Sequence, residues 1–264
     1  MTDELVAIAE AAARAAGAEL LRRWRGPASG LATKSSATDP ASDADRAAEQ
    51  AIVSLIRARR SSDEIVAEEG GRLRGSGTRW LVDPLDGTVN YLYGIPQWCV
   101  SIAASDDRGT RAAVVYDPLR DELFVAERGA GARSGERALA VTGAHDLAEA
   151  LLATGFSYIA HERELQAAQQ VALIGRLRDV RRFGSAALDL AWVAAGRVDA
   201  YIETIASPWD WAAGRLLVEE AGGRVTEVAG VREGMPGLLA SAPEIHDALL
   251  ALVVQTASQH VEST

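Results

Sequence analysis

Three carboxylates pose the chemical question of this chain. Asp83 and Asp86 stand three residues apart in the stretch WLVDPLDGTVNYLYG (80–94), and Glu68 follows the apolar stretch 64–67. Carboxylates confined in one small space repel each other unless a cation or a shared proton offsets the charge. An oxygen-only donor set without histidine or thiolate suits a hard divalent ion, magnesium before manganese or calcium, and not zinc or copper. Each acid also has a plainer reading. Asp-Pro and Asp-Gly are turn dipeptides, and Asp86 could cap a helix starting near Thr88.

The residues after Asp86 favour the chemical reading. Gly87, Thr88 and Val89 open a helix expected over 88–93, ahead of Pro96. A helix start exposes unpaired amide N–H groups, and a glycine there lets an anion approach the backbone, so Gly87 and Thr88 would cradle phosphate beside the metal ligands. Phosphate ester hydrolysis needs that pairing of cations with hydrogen-bond donors. A second acid-bearing helix start, SPWDWAAG (207–214), carries Asp210, which reads equally well as an N-cap.

These residues need a frame. Apolar spacing predicts helices over 3–24, 43–60, 162–178, 185–195, 210–221 and 243–254, and β-branched runs predict strands over 64–67, 79–82, 98–105, 111–116, 122–127, 151–155, 198–203 and 224–228. The first half is a strand meander and the second alternates strand with helix. Mixed sheets layered with helices follow, α+β grading into α/β, in two lobes, 1–144 and 145–264.

With 264 residues, 48% of them hydrophobic, the chain can bury a substantial core. The absence of any apolar run of 18 residues and of a basic leader predicts a cytoplasmic protein without a membrane role. The formal net charge of −10, spread along the chain, argues against direct nucleic-acid binding. Cys99, the single cysteine, lies in an apolar run and reads as a core thiol.

Four ordered stretches resemble the inositol monophosphatases of the magnesium-dependent, lithium-sensitive phosphatase superfamily. These are KSSATDPASDAD (34–45), DPLDGTVNYLYGIP (83–96), RRFGSAALDLAWVAAGRVDAYIE (181–203) and WDWAAGRLLVEEAGG (209–223), within a likeness extending over roughly 5–250. The resemblance implies a layered αβαβα sandwich and two or three Mg2+ ions. Glu68, Asp83 and the Leu85 carbonyl would hold the first ion, Asp83, Asp86 and Asp210 the second, and Glu68 a third through water. Thr88, oriented by Asp45, would bond the attacking water, and Lys34 would add positive charge nearby. Glu203 and the backbone near Ala187, with Asp86 and Asp210, would contact the substrate. Pro40, Ala41 and Ser42 depart from the family's usual Leu-Val-Thr, and Ala67-Glu68-Glu69-Gly70 from its GEES.

The function so implied is hydrolysis of inositol monophosphate and related sugar or polyol phosphates by a homodimer. The alternatives are histidinol phosphate, fructose 1,6-bisphosphate or adenosine 3',5'-bisphosphate as substrate, or a regulatory role through protein contacts.

Overall fold

Alanine-rich segments with apolar residues every three or four positions form the first two helices, α1 (Glu4–Arg23) and α2 (Asp43–Arg59). The structure is a computed structural model that describes residues 4–25, 32–33, 40–205 and 207–261, with side chains over 4–25, 42–205 and 207–256. Lys34 lies outside the described residues. Between the helices, β1 (Ala32–Thr33) and β2 (Pro40–Ala41) form a short antiparallel pair. Ser42 caps α2, and Asp45 returns the bond in a reciprocal capping box.

The next strands are β3 (Glu64–Ala67), β4 (Gly71–Leu73), β5 (Arg79–Asp86), β6 (Cys99–Asp106), β7 (Gly109–Asp117), β8 (Glu122–Glu127), β9 (Gly131–Ser134) and β10 (Arg137–Ala138). They make one eight-stranded sheet in the order β10-β9-β8-β7-β6-β5-β3-β4, with the short helix α3 (Thr88–Leu92) between β5 and β6. Only β3 and β5 run parallel in it. The second half contributes β11 (Leu151–Thr154), α4 (Ala160–Ile174), β12 (Asp179–Arg181), α5 (Ala186–Ala194), β13 (Ala200–Glu203), α6 (Pro208–Glu220), β14 (Arg224–Arg232), β15 (Met235–Ser241) and α7 (Pro243–Val261). Their strands form a five-stranded mixed sheet, β12-β11-β13-β15-β14.

Three apolar clusters stack these elements into the expected αβαβα sandwich. Ile8, Leu20 and Ile52 of α1 and α2 pack on Trp80, Ile102 and Val114 of the large sheet. On its other face, Cys99, Val115 and Phe124 meet Leu188 and Leu190 of α5, Leu217 of α6, and Tyr201 of the second sheet. Leu152, Ile202 and Leu239 close the outer core against Leu249 and Val253 of α7. Alternate residues of β6 thus feed two different cores, which is why its sequence is a continuous apolar run and not an alternating one. Each large apolar side chain buried in this way contributes about 1.5–3 kcal/mol. Among the described residues no helix is long and apolar enough to cross a membrane.

The elements differ from the sequence expectation at several points. The strand expected over 79–82 continues through Asp86. The helix expected over 162–178 spans Ala160–Ile174, and the chain after it enters the edge strand β12. The strands β4, β9, β10 and β15 were not expected. The first three are short pieces at or next to the sheet edges, and β15 begins Met-Pro-Gly, which reads as a turn.

Candidate active site

The parallel pairing of β3 with β5 brings the first two acids together. Ala67 is opposite Val82, and the Glu68 amide donates to the Val82 carbonyl at 3.2 Å, so Glu68, just past the end of β3, lies beside Asp83 of β5. Asp86 needs a further device. Residues three apart on a regular strand face opposite sides. In β5, however, Asp83 is opposite Ser101 and Asp86 opposite Cys99, three steps of one strand against two of the other. The extra residue is a bulge at Pro84 and Leu85, where a missing proline N–H is tolerated. The Leu85 amide donates to Asp83 Oδ1 at 3.0 Å inside it. Both aspartates consequently border one cavity of about 350 Å3, shared with Glu68, Leu85, Glu203 and Asp210.

Helix starts hold three of the acids. Asp86 Oδ2 accepts from Ser185 Oγ at 2.6 Å and from the Ala187 amide at 2.7 Å, so this strand residue caps α5 from outside. The cap of α6 is Ser207, and Asp210 is its partner at the third helical position, accepting from the Ser207 amide at 2.7 Å. Asp45 is fully buried behind Thr88 and accepts from the Ser42 amide at 2.9 Å and from Thr88 Oγ1 at 3.1 Å. The Leu85 carbonyl lies 3.0 Å from the same hydroxyl, so the single Thr88 proton has two acceptors within reach.

Gly87 caps α3 with φ of 92°, in the left-handed region, and a side chain there would come within 2.9 Å of the Gln97 carbonyl. It borders the cavity with Thr88. Because α3 is only five residues long, any hold on an anion comes from local amides and not from an extended helix dipole. Asn90 Nδ2 donates to the Gln97 and Phe183 carbonyls at 2.8 and 2.7 Å, tying this turn to the segment before α5.

The electrostatics are those of crowded acids. Burial raises the Asp83 carboxyl well above its usual range, and the charged neighbours that push it further are Glu68, Asp86 and Asp210, all acids. Asp210 is raised well above its range by burial, then by Glu68 and Asp86. Asp86 is raised by burial, against which Ser185, the Ala187 and Ala186 amides and the Arg182 charge work. Arg232, also bordering the cavity, is committed to Glu162. The donor set therefore fits a hard divalent cation, which would relieve the repulsion these groups share. Among the described residues no three acids, histidines or cysteines already stand close enough together to hold an ion.

Glu203 borders the cavity as well. Its Oε2 accepts from Tyr201 Oη at 2.5 Å. A side chain on Gly155 would run into this carboxylate, so the glycine leaves the space that Glu203 occupies. Burial is the largest influence on Glu203 and raises it to about 7, against bonding by Tyr201 and the Arg182 charge. Ala187 turns its amide to Asp86 and its side chain to the core, whereas Ala186 borders the cavity.

The Glu203 shift has a measurable sign. The folded carboxyl keeps its proton up to about pH 7, against an ordinary value near 4.5. The folded state thus binds more protons in that interval and loses stability as pH rises through it, by up to about 3 kcal/mol. Glu203→Gln removes this loss. In thermal melts without divalent ions, the variant should match the parent at pH 4 and exceed it at pH 8 by roughly 5 °C or more. An equal difference at both pH values would contradict the assignment.

Sequence reasoning singled out Glu68, Asp83, Leu85, Asp86, Gly87, Thr88, Glu203 and Asp210, and all of them border this cavity, with Asp45 behind Thr88. It missed Gly155, Arg182, Ser185 and Asp189, which border the cavity, and Tyr201 beneath Glu203. The same-face spacing of Tyr201 and Glu203 on one strand was the available signal for that pair.

The sequence model of the inositol monophosphatase family matches residues 1–261. A protein of Escherichia coli (strain K12) named Nus factor SuhB is 42% identical over 252 residues, covering 92% of this chain and 93% of that one. The structure of the inositol monophosphatase from Anabaena (Nostoc) sp. PCC 7120 superposes with a TM-score of 0.83 at 38% identity, over 95% of each chain. The extragenic suppressor protein suhB from Bartonella henselae gives a TM-score of 0.89 at 35% identity, over 95% of this chain and 98% of that one.

Proposed function

The chain belongs to the inositol monophosphatase family, and from that premise we propose that this phosphatase hydrolyses inositol monophosphate and related polyol phosphates with Mg2+ by direct attack of water. The observation that carries the reading is the convergence of Glu68, Asp83, Asp86 and Asp210 on one cavity that Glu203 also borders.

Glu68, Asp83 and the Leu85 carbonyl would hold one cation, Asp83, Asp86 and Asp210 a second, and Glu68 would reach a third through water. Bound divalent ions supply a lowered water pKa and offset charge on the phosphoryl oxygens. The protein's own groups do the rest. Thr88, with its proton given to Asp45, presents a lone pair that accepts from the attacking water and fixes its direction. Gly87 and Thr88 face the phosphate, and Glu203, with Asp86, Asp210 and the backbone near Ala187, takes the hydroxyls of the alcohol. Lys34 would add positive charge. A homodimer, residence in the cytoplasm and inhibition by lithium belong to the same proposal and are inherited from the family resemblance.

A second reading is favoured by the name Nus factor carried by the Escherichia coli relative. In it the chain acts as a regulator through protein contacts. One experiment separates the readings: phosphate release from inositol phosphate, histidinol phosphate, fructose 1,6-bisphosphate and adenosine 3',5'-bisphosphate, each with Mg2+ and with EDTA. The expected result is release from inositol phosphate at least about tenfold above the other esters, lost in EDTA and reduced by lithium. Equal turnover of histidinol phosphate overturns the substrate assignment, and no release from any ester leaves the regulatory reading.

A further inference from the structure

Asp189 stands in the first turn of α5, is 1% exposed, and borders the cavity with Glu203 and Arg182. Its helix neighbours Leu188, Leu190 and Ala191 are packed between the two sheets, so this acid is not a surface charge. Its Oδ1 is buried without a hydrogen-bond partner, and among the described residues bordering the cavity no other side-chain oxygen or nitrogen is in that state. A buried polar atom left unbonded is costly, and at a cavity wall a bound group can satisfy it.

Three of the surrounding groups are already committed, and Arg182 acts on Asp189 through its charge. Asp86 Oδ2 is taken by Ser185 and the Ala187 amide, Arg232 by Glu162, and Glu203 Oε2 by Tyr201. Burial first, then the Asp86 and Glu203 charges, raise the Asp189 carboxyl well above its usual range against the Arg182 charge, so in its protonated form it donates as well as accepts. A hydroxyl, which does both, is the complementary ligand group.

We infer that Asp189 is a specificity-determining residue, bonding a hydroxyl on the alcohol portion of a phosphate ester beside the one taken by Glu203. The ligand class is a phosphate monoester whose alcohol carries at least two free hydroxyls. The inference rests on the phosphatase reading above.

The test compares inositol phosphate with cyclohexyl phosphate, the same ring without hydroxyls, in the parent, Asp189→Asn and Asp189→Leu, all with Mg2+. For Asp189→Leu the ratio of kcat/KM for inositol phosphate to that for cyclohexyl phosphate should fall about tenfold, the scale of one lost hydrogen bond, with the change carried by KM. Asp189→Asn, which keeps a donor and an acceptor, should restore the ratio to within about threefold of the parent. The inhibition constant of free inositol should rise in Asp189→Leu in the same proportion. An unaltered ratio in Asp189→Leu, or an equal loss in both variants, overturns the inference. If Asp189→Leu does not fold, Asp189→Ala is carried through the same comparison. A parent that releases phosphate from neither ester refutes the polyol phosphatase reading on which the inference rests, which keeps the two failures distinct.

Discussion

Asp83→Asn should lower phosphate release from inositol phosphate by about a thousandfold or more, and raise the melting temperature in EDTA. Asp83 is 2% exposed, and the charged groups acting on it are all carboxylates. Without a cation this crowding destabilises the folded state, and the amide removes one of the charges. The substitution keeps an oxygen to accept from the Leu85 amide, so the bulge survives. The sign follows from the raised carboxyl. Its cost is absent below the ordinary aspartate value near 3.8 and grows as pH rises above it, so the variant's advantage should be present at pH 8 and vanish near pH 3. Mg2+ should reverse the order, raising the melting temperature of the parent more than that of the variant. Melting scans at both pH values, with and without Mg2+, check this alongside phosphate release. A variant with more than about a tenth of parental activity, or an equal Mg2+ response, contradicts the role given to Asp83.

The second large effect is conformational. Gly87→Ala should cost about 2–4 kcal/mol, combining left-handed backbone strain with a steric clash. With φ of 92°, the added carbon would meet the Gln97 carbonyl at 2.9 Å and the Gly184 carbonyl and Trp98 Cβ at 3.2 Å. These belong to two segments that Asn90 ties together, so they have little freedom to withdraw. The expected fall in melting temperature is roughly 5–15 °C, with lost activity as Thr88 shifts away from Asp45. Gly94→Ala is the control. It also has positive φ, 70°, but nothing within 4 Å of the added carbon, so its cost should be nearer 1 kcal/mol. Equal losses at the two glycines would contradict the steric argument.

Much of this architecture was legible in the sequence because burial imposes a period. The helices α1 and α2 fall within a residue of their expected bounds, since their apolar faces repeat and Ser42 marks a start. The central strands were legible because helices on both faces make them continuously apolar. Short edge strands such as β4 bury little and leave no such period. β15 begins with proline and glycine, yet it lies between β13 and β14, and tertiary pairing overrides the local turn signal.

The site divides along the same line. Glu68, Asp83, Asp86 and Asp210 were identifiable by type and motif. Local periodicity would have separated Asp83 from Asp86, because the bulge that reunites them depends on pairing with β6. Asp189 was hidden for the opposite reason. A single acid in an apolar helical run carries no spacing signal, and only its position at the cavity wall distinguishes it.

Asp45, Asp86 and Asp210 each complete the start of a helix, so selection for architecture alone would preserve them. A descendant that abandoned hydrolysis would still carry most of the motif, and its drift would surface first at Glu68 and Asp83, which complete no helix start. In such a lineage those two positions, and not the signature as a whole, are the markers of lost turnover.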